Sequence, residues 1–381
     1  MRNGASDTLP RDTLPSSFGE KDHIGADRAC AEFRSGRPVL ISGADEALLT
    51  LPVEGLTAER LAQFVTLSAP TAPRLAVTAR RGRALGLDVA GPIVFTLPHG
   101  AGADDILALV MASKIDSPVA AAPAGTAATA GIELAKLTLG LPAVLTALPP
   151  PAVSLTSGAS ILTVEAEAVA RFRHAAVRSL RISAETDMPL RDGLSARFVV
   201  FSEAGGGSAA VIIGKPDLSR PVPVRLHSAC LTGDVFGSRR CDCGDQLRLS
   251  LGQIDAAGGG IILYLAQEGR GLGLANKIRA YKLQDAGLDT VDANTTLGFD
   301  DDERKYDVAA SMLKSLGCTR VILLTNNPAK VDGLAEGGIE VCGRMPLVTP
   351  VHADNRRYLT AKAMRAGHRL DHLMEALADD R

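Results

Sequence analysis

The sequence predicts an α/β (α+β) protein in two parts: a separate N-terminal α/β domain and a C-terminal mixed sheet with flanking helices. Three observations carry this. The chain has 381 residues, which fits two domains at roughly 100–200 residues each. Strand-like runs, glycine-rich loops and helical spacings follow one another along it, the pattern of sheets covered by helices. Pro149-Pro150-Pro151 forms a stiff break near the middle. With 46% hydrophobic residues, 3% aromatics and no Trp, the cores must be built from Ala, Leu and Val.

Residues 1–21 are polar and rich in Gly, Ser and Pro, and they repeat DTLP. They read as a disordered lead-in without the apolar core of a signal peptide. The first domain is expected over 22–155. Arg37 to Ile41 reads as a buried strand, Leu56 to Leu67 as a helix capped by Thr57, and Ala76 to Thr78 as another strand. From about 118 to 153 the chain is Ala-rich but interrupted by Glu133, Lys136 and prolines. A bilayer span needs about 20 mostly apolar residues in a row. A soluble helical hairpin is therefore expected there, and no membrane association.

Residues 156–180 are expected to be a linker carrying a helix from about Val164 to Leu180, with the second domain over 181–381. Arg197 to Phe201 and Ala209 to Ile213 flank Gly205-Gly206-Gly207 as a hairpin. Ile261 to Leu265 reads as a buried strand, followed by a helix over Leu274 to Ala286 that Gly287 closes. A further helix is expected from Glu303 to Leu316, ended by Gly317. Arg320 to Leu324 is the next strand, and Thr325-Asn326-Asn327-Pro328 the turn leaving it. In such folds ligands bind where strands end.

Composition narrows the function. A net charge of −2 argues against a general nucleic-acid binder. Six cysteines make no dense disulfide scaffold and suit a reducing, cytoplasmic setting, where clustered Cys bind metal or react. Cys230, Cys241 and Cys243 lie in HSACLTGDVFGSRRCDCGDQL. Three thiolates suit zinc, and three protein ligands leave one position for water, the arrangement of a catalytic site. The competing reading is a closed structural site with His227 as fourth ligand.

Three later segments each have a functional and a plain reading. Glu268-Gly269-Arg270-Gly271-Leu272-Gly273 follows a strand and precedes a helix, which suits phosphate, and Arg270 adds a bidentate donor. The plain reading is a tight turn needing glycine. Asp300-Asp301-Asp302-Glu303-Arg304-Lys305 reads on its own as an acidic helix start. Thr325 to Pro328 with Lys330 reads on its own as an ordinary turn.

Considered together, RLHSACLTGDVFGSRRCDCGDQL, QEGRGLGLANKIRAYKLQDAGLDTVDAN, LGFDDDERKYD and LLTNNPAK resemble the GTP cyclohydrolase II family, over about Ile182 to Leu370. The resemblance implies a homodimeric hydrolase of riboflavin biosynthesis. It would convert GTP to 2,5-diamino-6-ribosylamino-4(3H)-pyrimidinone 5′-phosphate, formate and pyrophosphate. Cys230, Cys241 and Cys243 would hold zinc, activating water for attack at C8 of guanine, and Mg2+ would accompany the triphosphate. Arg225, Leu226, His227, Ser228 and Ala229 would form a substrate-contacting stretch. Gln246, Glu268, Gly269, Arg270, Tyr281, Thr290, Thr325 and Lys330 would also contact GTP, with the loop glutamate reading the N1/N2 edge of guanine. Asp302 would be the proton acceptor. Arg304 would act at the α-phosphate, as a nucleophile or by electrostatic stabilisation.

The family carries Glu at the position of Ala229 and Arg at that of Ala266. These departures keep a related hydrolase of another nucleotide, as in uracil breakdown, and a non-catalytic zinc or nucleotide sensor as alternatives. In the first half, GRPVLISGADEALLTLPVEGLTAERLAQFV resembles the start of 3,4-dihydroxy-2-butanone 4-phosphate synthase. That family's run of the form Asp-Arg-Glu-Asn-Glu-Gly-Asp is missing, with only Asp45 and Glu46 nearby. The resemblance therefore implies a degenerate domain without synthase activity.

Overall fold

A computed structural model describes residues 20–112, 120–150, 161–203, 206–365 and 367. The expected lead-in falls outside these up to residue 19, as do Pro151 and Gly205.

The first half opens with α1 (Lys21–Arg34), so the last residue of the expected lead-in is already helical. It continues through β1 (Val39–Ser42), β2 (Ala47–Pro52), α2 (Ala58–Ser68), β3 (Arg74–Val77), α3 (Ala79–Ala84) and β4 (Ile93–Thr96). Then come α4 (Ala103–Met111), β5 (Ala121–Pro123), α5 (Thr126–Leu137), β6 (Ala143–Ala147), β7 (Leu162–Glu165) and α6 (Ala166–Arg178). Thr57 caps α2 as expected, its hydroxyl accepting from the Arg60 N–H at 3.2 Å. The Ala-rich stretch differs from expectation. It is one helix between two strands, β5–α5–β6, because Ala143–Ala147 is buried on both faces, and alternation therefore gives no sign of a strand.

Seven strands form one sheet in the order β5-β4-β3-β6-β2-β1-β7, antiparallel except for β1 with β7. One face packs on α1, α5 and α6 through Ala29, Phe33, Ile132 and Phe172. The other face packs through Leu75, Phe95, Ile106 and Leu145.

The second half contains β8 (Arg181–Pro189), β9 (Ser195–Glu203), β10 (Gly206–Gly214), β11 (Val222–Ser228), α7 (Leu231–Asp234), α8 (Cys243–Ala256) and β12 (Gly259–Leu265). It ends with α9 (Leu274–Asp285), α10 (Thr290–Thr296), α11 (Asp307–Ser315), β13 (Arg320–Leu324), α12 (Pro328–Glu336), β14 (Glu340–Met345) and α13 (Ala353–Arg365). The strand order is β14-β13-β11-β12-β10-β9-β8. β11 runs parallel to both β12 and β13, so the carboxyl ends of these three strands share one edge. Gly287, with φ +110°, follows α9 as expected. The helix expected from Glu303 begins at Asp307 instead. The acidic run before it is irregular loop held by tertiary contacts, which override its preference for a helix start.

The two halves share a core. Leu272, Ala280, Ala293, Leu297 and Phe299 of the second half are buried in the same cluster as Leu75, Phe95 and Ile106 of the first. Among the described residues, no helix is long and apolar enough to cross a membrane.

Candidate active site

Each functional segment leaves the carboxyl end of one parallel strand. Ala229 and Cys230 follow β11, the loop Ala266 to Gly273 follows β12, and Thr325 to Asn327 follow β13. Together they wall a cleft of about 980 Å³, its open mouth included.

The three cysteines converge on one side. Their sulfurs lie within 4.8 Å of one another, and among the described residues no further His, Cys, Asp or Glu joins the group. Cys230 Sγ is 3.7 Å from Cys241 Sγ. A tetrahedral zinc with Zn–S near 2.3 Å holds its sulfurs about 3.8 Å apart, so the Cys230–Cys241 pair matches that spacing and Cys243 lies within reach of the same ion. Gly233 packs against all three. A Cβ there would lie 2.9 Å from Cys241 Sγ and 3.1 Å from both Cys230 Sγ and Cys243 Cβ. Hydrogen bonding with Cys241 and Cys243 holds the Cys230 thiol well below its usual range, with burial opposing and Lys277 assisting. Lys277 Nζ donates to Cys230 Sγ at 3.1 Å, Thr232 Oγ1 at 2.8 Å and Glu268 Oε1 at 2.9 Å.

His227 faces elsewhere. Its Nε2 meets the Asp234 carboxylate at 3.0 Å, and the ring stacks on Tyr264. Burial pushes its pKa down, with Asp234 opposing. Asp234 also accepts from the Cys230 N–H at 3.0 Å and the Tyr264 hydroxyl at 2.9 Å, so it fixes the start of the cysteine turn.

The loop after β12 turns sharply. Gly269 and Arg270 both adopt left-handed backbone, with φ of 64° and 62°. A non-glycine residue there costs roughly 1 kcal/mol, which the loop's contacts must offset. Arg270 Nη1 donates to the Asp301 carbonyl at 3.3 Å, while its buried Nη2 has no protein partner. Glu268 Oε2 accepts from the Leu231 N–H at 2.6 Å, and Oε1 from Lys277 Nζ and the Gly269 N–H. A carboxylate has about four lone-pair sites. Glu268 thus braces the loop against the cysteine turn and lacks two free sites for the edge of a guanine.

Further cations line the same cleft. Arg225 donates to the Leu324 carbonyl at 2.9 Å and to Gln246 Oε1 at 2.5 Å, and its Nε has no partner. Burial lowers its pKa to about 10. Lys330 Nζ donates to the Leu226 carbonyl at 2.7 Å. Burial, then the nearby Arg225, Arg304 and Lys362, hold Lys330 well below the usual lysine range. Arg304 Nε and Nη2 grip Asp302 at 2.8 and 2.5 Å, and its N–H donates to the same carboxylate at 3.0 Å. Burial disfavours the Arg304 charge, but the bond to Asp302 and the nearby Tyr306 and Asp302 outweigh it, and its pKa is raised. Burial likewise opposes the Asp302 charge, and the same bond holds its pKa down.

The sequence profile described as GTP cyclohydrolase II matches residues 181–346. The chain is 42% identical to GTP cyclohydrolase-2 of Xylella fastidiosa strain Temecula1 over 372 residues, covering 95% of this chain and 91% of the relative. The chain belongs to the GTP cyclohydrolase II family. It is also 42% identical to GTP cyclohydrolase-2 of Azospirillum brasilense over 383 residues, covering 95% of this chain and 98% of that one. Riboflavin biosynthesis protein RibBA of Bacillus mycoides is 54% identical, but over 162 residues, 42% of this chain and 41% of its own. A crystal structure of RibBX, described as a two-domain 3,4-dihydroxy-2-butanone 4-phosphate synthase from A. baumannii, covers 85% of this chain and 99% of its own at 15% identity. Its TM-score of 0.31 is too loose a superposition to bear on the fold.

In this GTP cyclohydrolase II family member, Arg225, His227, Ser228, Ala229, the three cysteines, Gln246, Glu268, Gly269, Arg270, Tyr281, Thr290, Arg304, Thr325 and Lys330 all line the cleft. Two expected residues do not. The Leu226 side chain is fully buried in the core of the sheet and offers only its carbonyl, to Lys330. Asp302 stands behind Arg304.

Several residues that line or support the cleft escaped the sequence reading. Lys362 and Tyr358 reach it from α13, beyond the matched stretch. Lys362 Nζ donates to Asp242 Oδ1 at 2.6 Å, and Asp242 Oδ2 accepts from Gln246 at 2.5 Å, linking the C-D-C turn to Arg225. Lys277, Asn294, Asn326 and Asn327 complete the wall. The polar character of Asp234 and Asp242 beside the cysteines is the signal that would have pointed to them.

Proposed function

We propose that this enzyme opens the imidazole ring of GTP in riboflavin biosynthesis. It releases formate and pyrophosphate and leaves 2,5-diamino-6-ribosylamino-4(3H)-pyrimidinone 5′-phosphate. The observation that carries the reading is the set of buried polar atoms at the cleft wall with no protein partner: Arg225 Nε, Arg270 Nη2, His227 Nδ1 and Ser228 Oγ. Buried polar atoms are rarely left unmatched unless a ligand, water or ion meets them. Two guanidinium groups among them suit phosphate oxygens.

Cys230, Cys241 and Cys243 would hold zinc, which when bound supplies Lewis-acid activation of water. The chain's own residues do the rest. Arg225, Arg270 and Lys330 take the triphosphate, which arrives with magnesium. The Leu226 carbonyl orients Lys330 towards it. Tyr281, its ring 4.4 Å under the Arg240 guanidinium, stands as a fixed wall for the base. Asp302 keeps Arg304 protonated and aimed, so Arg304 acts as a fixed positive charge at the α-phosphate. A guanidinium held this way has no free lone pair for nucleophilic attack. For Asp302 to accept a proton, its grip on Arg304 must first loosen.

The same reading takes the protein as cytoplasmic and homodimeric. It takes 22–155 as a synthase-like domain without synthase activity and 181–381 as the catalytic domain; the expected linker 156–180 instead gives the first half a strand, β7, and a packed helix, α6.

The test is incubation with GTP and magnesium, following formate and pyrophosphate, with other purine and pyrimidine nucleotides in parallel. Formate from GTP alone is expected. Cys241→Ser should abolish formate release and lower the zinc content. Undiminished formate from that variant would show that the thiolate has no such role.

A further inference from the structure

The segment from Leu297 to Tyr306 carries Asp302 and Arg304, has no helix or strand, and is gripped from two sides. The second half supplies one side. The Glu303 N–H donates to the Arg270 carbonyl at 3.1 Å, and Gln267 Nε2 to the Lys305 carbonyl at 2.5 Å. The first half supplies the other. Thr78 Oγ1 donates to the Gly298 carbonyl at 2.6 Å, and the buried Arg81 to the Thr296 carbonyl at 2.6 Å. Gly298, with φ +93°, lies so close that a Cβ would meet Thr78 Oγ1 and Pro142 Cγ at 3.1 Å. Phe299 is buried in the first half's core.

Two ion pairs then bracket Asp302. Arg80 Nε reaches Asp300 Oδ1 at 2.9 Å, and Lys136 Nζ reaches Glu303 Oε1 at 2.9 Å. The same Glu303 oxygen accepts from the Asp300 N–H at 2.9 Å. Glu303 therefore closes a tight turn with Asp301 and Asp302 inside it, and Lys136 holds that carboxylate in place. Lys136 and Glu303 side chains are 17% and 18% exposed, so solvent screens this pair less than the Arg80 pair at 41% and 55%. Burial disfavours the Lys136 charge, but Glu133 and Glu303 keep it protonated.

We propose that the N-terminal half is a clamp for the reaction, with Lys136 as a positioning residue that holds the Asp300–Glu303 turn so that Arg304 stands in the cleft. This deepens the functional reading above and rests on its assignment of Asp302 and Arg304. Lys136 touches no substrate. Its loss leaves the Glu303 carboxylate with only the Asp300 N–H and no cation, which loosens the turn and lets Arg304 shift. A misplacement of about 1 Å at a reacting centre costs on the order of 100-fold in rate.

The test uses the full chain. Lys136→Met is expected to lower kcat for GTP about tenfold or more. KM and melting temperature should stay near wild type, and backbone hydrogen exchange should quicken in 297–306. Lys136→Arg should recover most of the rate, because it keeps the pair with Glu303. Arg80→Gln, on the more exposed pair, should fold normally and show a smaller loss in kcat with the same local exchange. Unchanged kcat and exchange in both Lys136→Met and Arg80→Gln would overturn the proposal. So would losses that only track the unfolded fraction. If the wild type releases neither formate nor pyrophosphate from GTP, the functional reading fails. The clamp is then decided by exchange alone: quickening confined to 297–306 keeps it, and none removes it.

Discussion

Gly233→Ala adds one methyl group at the centre of the cysteine trio. The new Cβ would stand 2.9 Å from Cys241 Sγ and 3.1 Å from Cys230 Sγ and Cys243 Cβ. Comfortable non-bonded contacts begin near about 3.5 Å, so the methyl is about half an ångström too close on three sides. Gly233 sits in α7 outside the left-handed region, so alanine meets no backbone penalty and steric crowding is isolated. The Cys230 and Cys241 sulfurs must spread beyond the 3.7 Å that suits a tetrahedral ion. Overpacking of this kind costs about 1–3 kcal/mol. Converted at about 1.4 kcal/mol per tenfold, that weakens zinc roughly 5- to 150-fold. Zinc content after dialysis against chelators of graded strength measures it, with circular dichroism to confirm the fold. A variant that keeps one zinc per chain with wild-type chelator resistance would refute the argument.

Lys330 gives a pH prediction. Its pKa is low in the free protein and should rise when a triphosphate arrives, so binding takes up protons and affinity falls as pH rises between the two values. Calorimetry in buffers of different ionisation enthalpy should show proton uptake, and Lys330→Met should lose it; equal uptake in both assigns the proton elsewhere. Arg81→Met removes donors from a buried carbonyl, Thr296 at 2.6 Å, and a partly buried one, Leu109 at 2.5 Å. Stability should fall by about 2–4 kcal/mol in denaturant titration, and a loss under 1 kcal/mol contradicts the role given to it.

The cleft is legible in the sequence where its parts are contiguous. The cysteines, the Glu268 to Gly273 loop and the Thr325 to Lys330 turn each occupy a few residues in order, and so the family resemblance carries them. Lys362 is not legible, because its partner Asp242 lies 120 residues away and only the folded α13 brings them together. The acidic run misleads for a related reason. Carboxylates favour a helix start locally, but Asp300 and Glu303 answer to Arg80 and Lys136, distant in the chain. Glu268 shows the limit of a motif. Its position in the loop matches the expectation, but both its oxygens are already engaged by Leu231, Lys277 and Gly269. In the first half, β6 is hidden because a strand buried on both faces has no polar alternation to mark it.

The core common to both sheets has an evolutionary corollary. Phe299 and Leu297 fill space between side chains of the other half, and Gly298 has no room for a larger residue. A genetic crossover between the two sheets would join surfaces that had not been fitted to one another. Descendants are thus expected to inherit the halves together, with compensating changes arising in pairs across the seam.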